Sequence, residues 1–169
     1  MKNNYLFSLL LLCSFVSFYA MASAMPVNEN SLIIIENAYV RATIPGTSIS
    51  AAYMEIENKS DEIITLTNIS SSASPRIQIH QHTMLDGMMR MRKLDAIDIK
   101  PKERVKLQPS GLHLMLFDIK KPLKSQESIE LVLNFSNKKF ITVQLSVYSP
   151  VEEKKAAQKR SAKMHEHHH

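Results

Sequence analysis

An antiparallel β-sandwich is the fold this sequence predicts, and three features point to it. Short segments rich in β-branched or alternating apolar residues recur along the chain, clusters of turn-forming residues separate them, and no segment before residue 151 carries a convincing helical period.

The first 24 residues stand apart from that pattern. Lys2 supplies a positive start, Leu6 to Val16 an apolar stretch, and Ala22-Ser23-Ala24 a small-residue cleavage site. Residues 1–24 are therefore expected to be a secretory signal peptide, with the mature chain beginning near Met25. Ser8, Ser14 and Ser17 interrupt the apolar run and argue against a permanent anchor. Cys13, the only cysteine, lies inside this leader after Leu12, which is too large for a lipid-attachment site, so lipidation is not expected. The mature chain then has no thiol. Disulfides and cysteine nucleophiles are excluded, and any metal site must use His, Met and carboxylates.

The expected strands follow in order: Leu32 to Val40, Ala51 to Ile56, Ile63 to Ile69, Arg76 to His80, Met88 to Leu94, Arg104 to Leu107, Leu112 to Ile119, Ser128 to Phe135 and Phe140 to Val147. Each pair is separated by a turn signal such as Ile44-Pro45-Gly46, Asn58 to Asp61, Asp86-Gly87 or Pro109-Ser110-Gly111. With 44% hydrophobic and 22% charged residues, the composition suits one core, placed in a single domain over residues 25–150. Residues 151–169 turn polar and Ala/Lys-rich without an apolar stripe, and are expected to be a flexible, at most weakly helical, extension.

The formal net charge is +5, and much of the excess lies in Lys154, Lys155, Lys159, Arg160 and Lys163. No interleaved aromatic and basic pattern accompanies it, so nucleic acid is not the expected partner. A solvated tail attracted to an acidic partner or membrane surface is the simpler reading, without stable insertion of the mature chain.

The segment Gly111 to Phe117, GLHLMLF, holds the chemistry. Alternation puts Leu112, Leu114 and Leu116 on one face and His113, Met115 and Phe117 on the other, which is left free. Upstream, Ile77 and Ile79 take the core face while Gln78, His80 and His82 take the opposite one. Beyond the Asp86-Gly87 turn, Met89 and Met91 share a face, interleaved with Arg90, Arg92 and Lys93, where a deep core is not expected. Thioether sulfur together with imidazole nitrogen favours Cu(I). Zinc sites prefer cysteine, blue-copper sites need a thiolate, and Mg or Ca would find no oxygen cage.

The spacing His80, ten residues, Met91, twenty-one residues, His113, one residue, Met115 resembles the H-x10-M-x21-H-x-M signature of the periplasmic copper chaperones of the PCu(A)C family. Val40 to Gly46 followed by Ala51-Ala52-Tyr53, then Asp86 to Arg92, then Leu107 to Leu116 extend the likeness over roughly residues 31 to 149. The resemblance implies a cupredoxin-like β-sandwich in the periplasm. It implies one Cu(I) held near the surface by His80, Met91, His113 and Met115, for delivery to the CuA site of cytochrome c oxidase subunit II, directly or with a Sco-type thiol chaperone. Two departures are mild: Ser110 stands where the family commonly has a second glycine, and Phe117 where another methionine is common.

His82 shares the face of His80 and reads as a solvent-exposed residue, with an accessory or alternative ligand as the competing role. Met84, Met88 and Met89 read as an apolar rim, a docking patch or a copper-passing group. The terminal run Met164 to His169 is shorter than an expression tag and is broken by Glu166, and its imidazoles suit a second, Cu(II) site. Two functions compete with delivery: copper buffering or tolerance, and a structural module in which His and Met merely pack. No Ser-His-Asp pattern, phosphate loop or paired catalytic carboxylates point to an enzyme. A copper redox enzyme is disfavoured because the four-ligand set leaves no open position.

Overall fold

A computed structural model describes residues 32–166 except Asp86 and Asn137, with side chains as far as Ala162. The expected leader, residues 1–24, and the terminal His167 to His169 lie outside the described residues. Among those described, ten strands form: β1 Ile33–Arg41, β2 Ser50–Asn58, β3 Ile64–Ser70, β4 Arg76–Leu85, β5 Met88–Leu94, β6 Ile97–Ile99, β7 Arg104–Leu107, β8 Leu112–Phe117, β9 Ser128–Phe135 and β10 Phe140–Tyr148. They are followed by α1, Pro150–Glu166. None of the described helices is long and apolar enough to cross a membrane.

The strands hydrogen-bond in the order β5-β4-β8-β7-β2-β1-β10-β9-β3-β6, with β2 also pairing β8. All pairings are antiparallel except β1 with β10 and β7 with β8. Although β3 and β4 are far apart in that order, they touch, so the two ends of the sheet enclose one core. The result is the expected cupredoxin-like β-sandwich. Met54, Ile56, Leu66, Leu114, Leu131 and Leu145 are among its fully buried side chains. The strand alternation read from the sequence puts them there.

Two strands differ from expectation for physical reasons. β6 is a three-residue Ile-Asp-Ile segment, too short to show alternation, yet it pairs with β3 and buries Ile97 and Ile99. β4 runs five residues past His80 because β5 pairs with it all the way to Leu85 opposite Met88. Ladder hydrogen bonds, not burial, hold that polar end.

Asn58, fully buried at the end of β2, fastens the far end of the sandwich. Its Nδ2 donates to the carbonyls of Glu62 (2.7 Å), Ile99 (3.0 Å) and Lys100 (3.1 Å). Its Oδ1 accepts from the Ser60 amide (3.0 Å) and hydroxyl (2.6 Å). One amide thus orders the turn after β2 and the β6–β7 connection.

The C-terminal extension, expected to be flexible or weakly helical, forms a helix over Pro150–Glu166. The reason is local and was readable: Ser149-Pro150-Val151-Glu152 is a capping box. The Glu152 amide donates to Ser149 Oγ (3.3 Å) while Glu152 Oε2 accepts from the Ser149 amide (2.7 Å), and Pro150 takes the first helical position. Glu152 and Glu153 also place negative charge in the first turn. Without an apolar stripe, polar contacts dock the helix. Glu153 accepts from Arg41 Nε and Nη2 (both 2.8 Å) and from the Tyr39 hydroxyl (3.0 Å), and Arg160 lies over the Tyr39 ring at 5.6 Å.

Two outcomes are expected. Asn58→Ala leaves several carbonyls unpaired and should cost about 2–3 kcal/mol in urea unfolding without changing the m-value. Burial pushes the Glu153 carboxyl up, but the Arg41 and Tyr39 hydrogen bonds outweigh it and hold it below its ordinary 4.5. A depressed carboxylate stabilises above its unfolded pKa and loses that contribution as pH falls through the folded value. Protection factors of the α1 amides, corrected for the intrinsic pH dependence of exchange, should therefore fall below pH 4.5, and Glu153→Gln should abolish that fall.

Candidate metal centre

Three adjacent strands, β5, β4 and β8, build one face of paired donors. His80 stands directly opposite His113, and Gln78 opposite Met115, in the β4–β8 ladder. In the β4–β5 ladder, His82 stands opposite Met91 and His80 opposite Lys93, so Met91 is diagonal to His80. Directly paired residues share a face, and diagonal neighbours remain within reach of long side chains. The structure therefore brings His80, Met91, His113 and Met115 to one patch. The reverse face of the same strands carries Ile79 opposite Leu114 and Ile77 opposite Leu116, packed in or against the core.

The patch is not free surface. His113 is only 3% exposed, whereas Met91 is 49% exposed. Alternation within Leu112 to Phe117 leaves the His113 face open, but strand pairing covers it. In the fold, the rings of His82 (4.9 Å), His80 (5.9 Å) and Tyr53 (6.4 Å) crowd around His113. His82, expected to be solvent-exposed, is half-buried with its Nδ1 enclosed and unpartnered. Its closeness to His113 arises because the His82 amide bonds the Gly111 carbonyl (3.3 Å), two residues from His113.

Hydrogen bonds select which imidazole nitrogens are available. His113 Nδ1 lies 3.0 Å from the Gly111 carbonyl, which can only accept, so Nδ1 carries the proton and Nε2 keeps its lone pair. His80 Nε2 lies 2.9 Å from Gln78 Oε1 and donates to it, leaving Nδ1 as the bare nitrogen. That Nδ1 is buried without a partner. A buried lone pair with no donor is costly in a metal-free protein and suits a cation. Among the described residues, no group of three or more His, Cys, Asp or Glu side chains is arranged to hold a metal; the other soft donors on this face are the Met91 and Met115 thioethers.

Neighbours shape access. Ala51 stands opposite Met115, which is half-buried and lines a groove of about 500 Å3 bounded by Ile44, Ile49 and Tyr148. Phe117 closes the other end, 6.0 Å from His80 and beneath the Arg76 guanidinium at 4.2 Å. Ser110 adopts φ +62°, a left-handed conformation that costs a non-glycine residue about 1 kcal/mol or more. Sequence reasoning missed the roles of Gln78 and the Gly111 carbonyl. The i−2 spacing of Gln78 from His80 was the available signal.

The LpqE-like lipoprotein family model matches residues 33–147. The lipoprotein Lxx21020 of Leifsonia xyli subsp. xyli is 26% identical over 113 residues, covering 66% of this chain and 67% of that protein. Among solved structures, the copper-bound PCuAC domain from PmoF2 is 28% identical with TM-score 0.61, covering 70% of this chain and 94% of that one. The Cu(I) form of DR1885 from Deinococcus radiodurans is 29% identical with TM-score 0.59, covering 79% of this chain and 86% of that one.

Burial, above all, lowers the His113 pKa, against a raising contribution from the Gly111 carbonyl, and burial together with the nearby His113, Lys93 and His82 lowers that of His80. A depressed histidine is neutral at physiological pH, and its contribution to stability is lost as pH falls below the unfolded value near 6.5. Imidazole C–H resonances of the metal-free protein should titrate below 6.5 at both residues, and urea stability should decline on acidification from that pH.

Proposed function

We propose that this chain, which belongs to the LpqE-like family of PCuAC type, is an extracytoplasmic copper-binding chaperone that carries Cu(I) on the β5–β4–β8 face. The single observation that carries the reading is the His80–His113 cross-strand pair, with its buried bare nitrogen, flanked on the same face by Met91 and Met115. Two imidazoles and two thioethers form a soft, neutral donor set. It matches a monovalent copper ion, disfavours oxygen-seeking cations, and keeps its character outside the cytoplasm because thioethers form no disulfides. Copper bound to the PmoF2 domain and Cu(I) bound to DR1885 support the choice of cargo.

His113 and His80 supply fixed nitrogens, one held by the Gly111 carbonyl and the other by Gln78. Met91, half-exposed on an edge strand, is the ligand best placed to leave first when a recipient approaches. The recipient in this reading is the CuA site of cytochrome c oxidase subunit II, reached directly or with a Sco-type thiol chaperone. A thiolate recipient outcompetes thioethers for Cu(I), so transfer runs downhill without catalysis. The lipoprotein names of the relatives and the leader-like residues 1–24 support export to the periplasm, with 25–150 as the carrier domain. Residues 151–169, with His165 and His167 to His169, would offer a separate imidazole-rich site for Cu(II).

The test is Cu(I) competition against a chromogenic chelator under reducing conditions, on the full mature chain. Met91→Leu, Met115→Leu and His113→Gln should each weaken the tightest site by about a hundredfold. Copper should then pass to an apo CuA fragment but not to its cysteine-free variant. Full affinity in all three variants would mean that the sandwich is a scaffold and that the tail binds the metal. Tight binding without transfer would favour buffering.

A further inference from the structure

The β4–β5 hairpin carries soft donors beyond the four assigned to the main site, and its register arranges them in sequence. Counting inward from the tip on one face, Met84 is paired with Met89, then His82 with Met91, then His80 with Lys93 and, across the other ladder, with His113. The intervening rungs, Thr83 with Arg90 and Gln81 with Arg92, point to the opposite face, which keeps both arginines off the donor row. Same-face rungs are about 7 Å apart along a strand, a distance that flexible thioether side chains can bridge.

Exposure changes steadily along the row. Met84 is 67% and Met89 60% exposed, Met91 49%, and His113 3%. A packing role explains none of the outer residues, because Met84 and Met89 are largely in water. His82 sits between the two ends: its Nδ1 is buried and unpartnered, and its ring lies nearer His113 than the His80 ring does.

We infer that Met84, Met89 and His82 form an outer Cu(I) site, one rung outside the main one, which captures the ion at the hairpin tip and passes it to Met91 and His113. The step is ligand exchange at constant oxidation state: the copper–sulfur bonds to Met84 and Met89 and the copper–nitrogen bond to His82 break as bonds to Met91 and to His113 Nε2 form, and no proton or electron moves. Three donors in an exposed hairpin bind more weakly than four on a partly buried face, so the ion moves inward. The inference depends on the carrier reading only for the identity of the cargo.

The experiment uses the full mature chain labelled with 13C at methionine methyl groups and titrated anaerobically with Cu(I). The Met91 and Met115 methyl resonances should shift with the first equivalent, and those of Met84 and Met89 together only beyond it, with His82 ring resonances moving alongside. In the double variant M84L/M89L, stopped-flow loading from a Cu(I)–bathocuproine disulfonate complex should slow by about tenfold while the affinity of the main site is kept. Silent Met84 and Met89 resonances in excess Cu(I), or an unchanged loading rate, would overturn the outer site or its feeding role. If Met84 and Met89 respond while Met91 and Met115 do not, the outer site stands and the four-ligand carrier reading fails.

Discussion

The register between β4 and β8 is the constraint on which the site depends. On one face of that ladder Ile79 meets Leu114 and Ile77 meets Leu116; on the other His80 meets His113 and Gln78 meets Met115. Because the side-chain period is two, a slip of one residue would turn the imidazoles into the core and the leucines toward water. Burial of Ile79, Leu114 and Leu116 therefore fixes the donor face as firmly as it fixes the core. The hydrophobic effect positions the imidazole and thioether donors without touching them.

A second ladder turns this pair into a site. Among the described residues β5 has no hydrogen-bonded neighbour beyond β4, and its residues Met88 to Lys93 are all exposed. Arg90, Arg92 and Lys93 give that edge the charge that discourages pairing with another chain. The same edge position leaves Met91 half in solvent while its neighbours toward β8 become progressively buried. A carrier needs both properties at once, a nitrogen pair held in place and a sulfur that can let go, and the step from inner to edge strand supplies them.

Two polar ties, one at the end of β2 and one beside the Met115 groove, fasten the rest of the molecule. Asn58 ties the turn after β2 to the β6–β7 connection, and Glu153 ties α1 to β1 through Arg41 and Tyr39. The helix shows the consequence: its composition reads as a solvated tail, but a capping box starts it and contacts to Arg41, Tyr39 and Ser125 dock it.

By itself the sequence determined the sandwich, nearly all its strands and the faces on which His80, His113 and Met115 lie, because alternation is a local property that each strand carries within it. The Asp86-Gly87 turn likewise announced the hairpin that returns Met91 toward β4. What needed the tertiary structure was everything that depends on which strands are neighbours. Only pairing shows that His113 is buried beneath His80, His82 and Tyr53, that His82 faces Met91 rather than water, and that Ile97 to Ile99 completes the sheet. Those facts rest on contacts between residues far apart in the chain, and no periodicity within a single segment encodes them.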